Sequence, residues 1–203
     1  MTRSAYCIYR VLYAMAWLVL RFCHPVLRVS GKENIPNDPY VMVANHSAAT
    51  DPLYVILAQN PKPLYAIMAK RQVLEMPLLG RLLKKVGVFP VDRDGTDSAA
   101  VMLSMRTLKS GRSLLLFPEG TRLRDGQRAP AKGGAVMLAS RCKVPVVPVY
   151  ISTEKRMFRS VRVVFGQPYH PQTSGRHISP EEQERLAGEM MDRCYALGER
   201  NEH

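Results

Sequence analysis

From Gly31 onward, short apolar runs alternate with stretches of helical period, and this alternation limits the fold more than any other feature of the chain. The apolar runs place strands at 40–44, 64–68, 86–91, 114–117, 146–151 and 161–165. Helical patterns fall near 52–60, 75–84, 97–110, 132–141 and 180–197. Strands and helices in such order predict an α/β domain with a mixed, largely parallel sheet flanked by helices. Runs such as "SLLLF" have no polar interruption, as expected of strands covered on both faces. At 203 residues the chain suffices for one such domain, over 31–203, with a true core.

The last helix carries its own start signal. Ser179 can cap it, Pro180 suits the first helical position, and Glu182 sits where the acid of a capping box belongs. Leu186, Met190, Cys194 and Leu197 make one apolar stripe, and Gly198 is placed to end the helix. This pattern predicts a structural element.

Residues 1–30 read differently, as an N-terminal segment that is helical and lies at a membrane interface. The longest uncharged core, 11–20, has ten residues, whereas a spanning helix needs roughly 20. Small residues of a cleavage site do not follow it. Arg3, Arg10, Arg21 and Arg28 are spaced by 7, 11 and 7, so the first three share one stripe of a helix that Pro25 breaks. The other side carries Leu12, Trp17, Leu18 and Val19. An apolar face with an arginine stripe suits a helix lying in the plane of a bilayer. The alternative is a core helix with a solvated edge.

Charge sets the class of partner. Twenty-nine Lys and Arg against seventeen acids leave +12, which attracts nucleic acid, acidic lipid or phosphorylated substrates. Nucleic acid is disfavoured because no reading motif occurs and aromatic residues make up only 7%. The four cysteines are far apart and form no C-x-x-C pair, as expected of reduced thiols in a cytosolic compartment rather than of a metal site.

Reactive side chains collect in loops that follow strands. In "NHSAATD" (45–51) a turn can fold Asp51 back onto His46, making a base and its orienter. By spacing alone, a surface histidine beside an Asp51-Pro52 helix cap reads as well. "GVFPVDRDG" (87–95) sends Arg93 off the end of a strand. "LLLFPEGTRLRDGQRAPAKGGA" (114–135) runs from a buried strand straight into Glu119, Gly120, Thr121 and Arg122. Gly120 permits a backbone through which neighbouring N–H groups approach an anion, and Lys132 precedes a helix start that favours phosphate. The plain alternative is a Pro-Gly turn with solvated charges. "KVPVVPVYI" (143–151) holds nothing reactive and reads as an apolar wall.

Together these blocks resemble the glycerolipid acyltransferase family, specifically its 1-acylglycerol-3-phosphate acyltransferases. "NHSAATD" matches that family's NHx4D block, "GVFPVDR" its second block, "FPEGTR" its third and "VPVVPVY" its fourth, in order, over residues 30 to 166. Two departures bear on substrate fit: Ala48 stands where relatives often have Ser, and Gln72 where they commonly carry Glu.

The resemblance implies transfer of a fatty acyl group from an acyl thioester, acyl-CoA or acyl carrier protein, to the sn-2 hydroxyl of lysophosphatidic acid, giving phosphatidic acid for phospholipid synthesis. Another acceptor, such as glycerol-3-phosphate or another lysophospholipid, is the alternative. It implies His46 as general base, Asp51 as its orienter, and Glu119 as a third catalytic residue that organises Arg122 or the loop backbone. Arg93, Gly120, Thr121, Arg122 and Lys132 would bind the acceptor. Transfer is expected to be direct, without an acyl-enzyme on Ser47, and to need neither metal nor cofactor. The enzyme is expected at the cytoplasmic face of an anionic membrane, peripheral or monotopic.

Overall fold

The computed structural model describes residues 3–59, 65–70, 74–77, 79–85, 88–91, 98–123, 127–175 and 178–199. Its strands are β1 (Leu27–Ser30), β2 (Val41–Ala44), β3 (Tyr65–Lys70), β4 (Phe89–Val91), β5 (Ser113–Leu116), β6 (Val146–Ile151) and β7 (Val161–Phe165). The helices are α1 (Arg3–Cys23), α2 (Asp51–Gln59), α3 (Leu79–Lys85), α4 (Ser98–Lys109), α5 (Gly134–Cys142) and α6 (Pro180–Glu199). All seven strands join one sheet, in the order β1-β7-β6-β2-β5-β3-β4. Every pairing is parallel except β6 with β7. The expected mixed, largely parallel α/β architecture is therefore present.

The central strands β2 and β5 are apolar apart from Ser113 because each face is covered. Val41 and Val43 of β2 and Leu114 and Leu116 of β5 point into a core with α4, α5 and α6. Met42 and Ala44 point the other way, into a core with Tyr54, Val55 and Ala58 of α2 and Leu20 of α1. Alternate residues of one strand thus feed two cores. The parallel strands β2, β5 and β6 all end at the same edge of the sheet, and their following loops meet there.

The chain departs from the sequence expectation in three places. The segment 1–30 is not helical throughout: Leu27–Ser30 forms edge strand β1, in parallel register with 161–164. Its residues are alternately half-buried and exposed, as an edge allows. Helix α1 ends at Cys23, just before Pro25, and at 21 residues it outruns its ten-residue uncharged centre. An 18-residue window of it, Tyr6–Cys23, is long and apolar enough to cross a membrane by length and composition. Gly198 does not end α6, which continues to Glu199. A Cβ at Gly198 would come 2.6 Å from the Tyr150 ring, so this glycine serves a close approach between α6 and β6. The start of α6 agrees in part: Ser179 Oγ accepts the Glu182 N–H at 3.2 Å, while the Glu182 carboxylate turns to Ser174 instead of closing a capping box.

Candidate active site

The loop after β2 begins with a residue that extends the sheet. Asn45, 1% exposed, donates through its amide to the Ile151 carbonyl and accepts from the Ile151 N–H, both at 2.8 Å. The side chain thus stands in for the next backbone pair and ties the ends of β2 and β6. The chain then turns through His46 and Ser47 into α2.

Asp51, the first residue of α2, is fully buried. It does not cap forward. Its Oδ2 accepts the Ser47 N–H at 2.7 Å and the Ala48 N–H at 2.8 Å, and lies 2.9 Å from His46 Nδ1. A carboxylate at that position fixes Nδ1 as the protonated nitrogen and leaves Nε2 to accept. Burial alone pushes the Asp51 carboxyl up, but the His46 bond, the charge of Lys155 and the Ala48 N–H outweigh it and hold the group below its ordinary value. The helix N-terminus favours the same anion. The turn therefore does fold Asp51 back onto the His46 ring, and the Oδ2 contacts run backward to residues 46–48.

The His46 backbone is held from the β5–α5 loop. Its N–H donates to Glu119 Oε2 at 2.8 Å, and its carbonyl accepts the Leu123 N–H at 2.8 Å. The Phe117 ring lies 4.4 Å from the imidazole, centre to centre. Glu119 is 5% exposed, and its other oxygen accepts the Tyr195 hydroxyl from α6. Burial raises the Glu119 carboxyl, opposed by the Tyr195 and His46 hydrogen bonds. Of the two expected targets of Glu119, Arg122 or the loop backbone, its carboxylate contacts backbone, at the His46 N–H.

Gly120 adopts φ 66°, the left-handed region, and its N–H closes a turn onto the Phe117 carbonyl at 3.1 Å. That N–H is committed to the fold. The Lys132 side chain crosses the same glycine: an added Cβ would meet Lys132 Cε at 3.1 Å. Thr121, Arg122 and Lys132 are exposed, and among the described residues no ion pair holds Arg122. Lys132 precedes α5 as expected. Arg93 and Gln72 lie outside the described residues.

A cleft of about 220 Å³ opens beside the imidazole, between the loops after β2 and β6 and the end of α6. His46, Ser47, Arg128, Tyr150, Thr153 and Tyr195 are among its lining residues. Arg128 stacks 4.8 Å above the Tyr195 ring and pairs with Asp192 at 2.9 Å. Among the described residues no group of three His, Cys, Asp or Glu could hold a metal ion.

An acyltransferase family model matches residues 26–152. The chain belongs to the acyltransferase family. The motifs therefore lie in the part of the chain that carries the family relationship, and His46, Asp51 and Glu119 fall within it. A protein of Bacillus subtilis named 1-acyl-sn-glycerol-3-phosphate acyltransferase is 32% identical over 167 residues, covering 79% of this chain and 81% of that one. A yeast protein of the same name, from Saccharomyces cerevisiae, is 31% identical over 169 residues, 81% of this chain but 53% of its own length. The crystal structure of the 1-acyl-sn-glycerophosphate (LPA) acyltransferase PlsC of Thermotoga maritima has the same fold, with a TM-score of 0.68 and 23% identity over 99% of this chain and 80% of that one.

Sequence reasoning assigns no role to four residues around His46: Asn45, which enters only as part of its motif, and Arg128, Lys155 and Tyr195. Asn45 had a signal, a polar residue at the end of a wholly apolar strand. Lys155 had none, because "TEKR" reads as a solvated loop.

Proposed function

We propose that the enzyme transfers a fatty acyl group from an acyl thioester, acyl-CoA or acyl carrier protein, to the sn-2 hydroxyl of lysophosphatidic acid, forming phosphatidic acid. One observation carries this reading: an imidazole whose Nδ1 is held 2.9 Å from a buried carboxylate and whose ring lines an open cleft. The names of the Bacillus and yeast relatives support the acceptor.

In this mechanism His46 Nε2 takes the proton of the glycerol hydroxyl as the oxygen attacks the thioester carbonyl. General-base help of this kind contributes roughly 10²–10⁴ in rate. Asp51 stabilises the imidazolium that forms, and the ring returns its proton to the leaving thiolate. The bond formed is the ester and the bond broken is the thioester carbon–sulfur bond. Ser47 is assigned no nucleophilic role: its Oγ accepts from Lys155 at 2.6 Å and donates to the Thr153 carbonyl at 3.4 Å. Glu119 acts at one remove, by holding the His46 N–H. Arg122 and Lys132, exposed on the shoulder of Gly120, bind the acceptor's phosphate together with Arg93 and the Thr121 region. Guanidinium forks suit phosphate oxygens and orient the hydroxyl.

The enzyme rests on the cytoplasmic leaflet of an anionic membrane. Helix α1 lies along the domain, packed on α2 and α3, with Leu20 buried and the Tyr13 hydroxyl near the Leu57 carbonyl. Its outer side exposes Val11, Met15, Trp17, Leu18, Val19 and Phe22. Met157 and Phe158 of the β6–β7 loop add to that surface, Phe158 sitting edge-on to Phe22 at 6.4 Å. A helix bound lengthwise to its own domain suits an interfacial placement better than a span. Basic groups near acidic lipid each add about 1 kcal/mol.

The test is direct. Purified protein receives lysophosphatidic acid and two labelled thioesters, and products are read by mass spectrometry. Phosphatidic acid is expected. Acylation of glycerol-3-phosphate alone would transfer the reading to the other acceptor.

A further inference from the structure

Lys155 enters the site from the loop between β6 and β7. Its Nζ lies 2.8 Å from Asp51 Oδ1, donates to Ser47 Oγ at 2.6 Å and donates to the Ser152 carbonyl at 2.7 Å. Its side chain is only 8% exposed. A buried ammonium is costly unless its charge is paired and its three protons find acceptors. Here Asp51 Oδ1 supplies the opposite charge at ion-pair distance, and Ser47 Oγ and the Ser152 carbonyl accept two of the protons. The two oxygens of Asp51 are therefore divided: Oδ2 serves His46 and two backbone N–H groups, and Oδ1 serves the lysine.

We infer that Lys155 is a positioning residue of the transfer reaction: it locks the Asp51 carboxylate in orientation and offsets the negative charge that would otherwise draw a second proton onto His46. The inference rests on the reading of His46 as general base. A base must be neutral to take the alcohol's proton, and a lone carboxylate on Nδ1 favours the charged ring. A cation on the far side of that carboxylate works against this while leaving the orienting hydrogen bond in place.

The other groups around the ring do not supply that cation. From α2 come Asp51 and, near its carboxylate, the buried Tyr54, which carries no positive charge and whose hydroxyl is pushed up by burial. From the β5–α5 loop come Glu119, on the His46 N–H, and the neutral Phe117 ring. From α6 comes Tyr195, which donates to Glu119, with Arg128 stacked on its outer face. Two carboxylates therefore surround the histidine, and among the described residues Lys155 is the cation that touches the pair. Its loop is fixed at both ends of this task. Ser152 Oγ accepts the Arg162 N–H at 2.9 Å, and the Phe158 N–H donates to the Cys23 carbonyl at 2.7 Å.

The decisive experiment measures kcat/KM for lysophosphatidic acid against pH in wild type, K155M, K155Q and K155R, using the full chain with circular dichroism as the folding control. H46A runs beside them. In K155M the acid limb is expected to move up by about one pH unit, a tenfold loss on its low side, with recovery towards wild type at high pH and an unchanged acceptor KM. K155Q carries the same expectation should K155M not fold. K155R, which keeps the charge, is expected to retain the limb at its wild-type position. A neutral variant whose profile keeps the wild-type shape, whether full height or uniformly lowered, overturns the charge role. A limb that moves equally in K155R overturns it as well. With normal wild-type turnover that is lost in H46A, such a result removes the lysine assignment alone. A wild type that does not acylate lysophosphatidic acid overturns this inference and the proposed function together.

Discussion

Asn45 and Ile151 exchange two hydrogen bonds of 2.8 Å, so that a side-chain amide continues the ladder between β2 and β6 by one step. The step matters because the next residue is His46. The imidazole is thereby placed by the sheet, on one side through Asn45 and on the other through the Glu119 bond to its own N–H.

Asn45→Ala should leave the Ile151 N–H and carbonyl buried and unpartnered. Each such group costs about 1–3 kcal/mol. The variant is expected to lose about 2–6 kcal/mol in denaturant unfolding, and its turnover should fall as the loop loosens. Unfolding at the wild-type midpoint would show that the amide does not hold the two strands.

Asp51 gives stability a pH signature. Its carboxyl is held below the ordinary 3.8, so the folded chain binds this proton less readily than the unfolded one. The contribution is complete above 3.8 and is lost as pH falls through the lower folded value. Glu119 has the opposite sign, being raised by burial, and its cost to the fold is relieved on acidification. Urea midpoints of wild type and Asp51→Asn should therefore differ most near neutrality and converge below 3.8. A gap that stays constant down to strong acid would contradict the assigned shift.

The exposed cations of the β5–α5 loop are assigned to the acceptor's phosphate. Arg122→Ala and Lys132→Ala should each raise the acceptor KM by roughly tenfold, the loss of one charge-assisted contact of about 1.4 kcal/mol. The donor KM should stay near its wild-type value. Equal effects on both substrates would place these cations elsewhere in the reaction.

Much of this was legible in the amino-acid order, and the exceptions have physical causes. Central strands such as 114–116 declare themselves because both faces are covered and no polar residue interrupts them. The edge strand at 27–30 does not, since half its side chains face out and it follows an apolar helix and a proline. His46 and Asp51 could be read together because they share one turn. Lys155 and Tyr195 could not, since they reach the site from more than seventy positions away. Between Glu154 and Arg156 a lysine looks solvated. Next to Cys194 on an amphipathic helix, a tyrosine looks like packing.

Met157 and Phe158 are 60% and 64% exposed, beside Phe22 on the outer side of α1. Replacing both with serine removes apolar area that a bilayer would cover, and roughly tenfold weaker partitioning is expected. Co-sedimentation with anionic vesicles measures it. Binding equal to wild type would exclude this loop from the membrane contact.

The most direct measurement is His46→Ala in the acyl-transfer assay with lysophosphatidic acid and a labelled thioester. Turnover is expected to fall by about 10²–10⁴, while circular dichroism and vesicle binding stay at wild-type values. A His46→Ala enzyme that still forms phosphatidic acid at near-normal rate would contradict the mechanism.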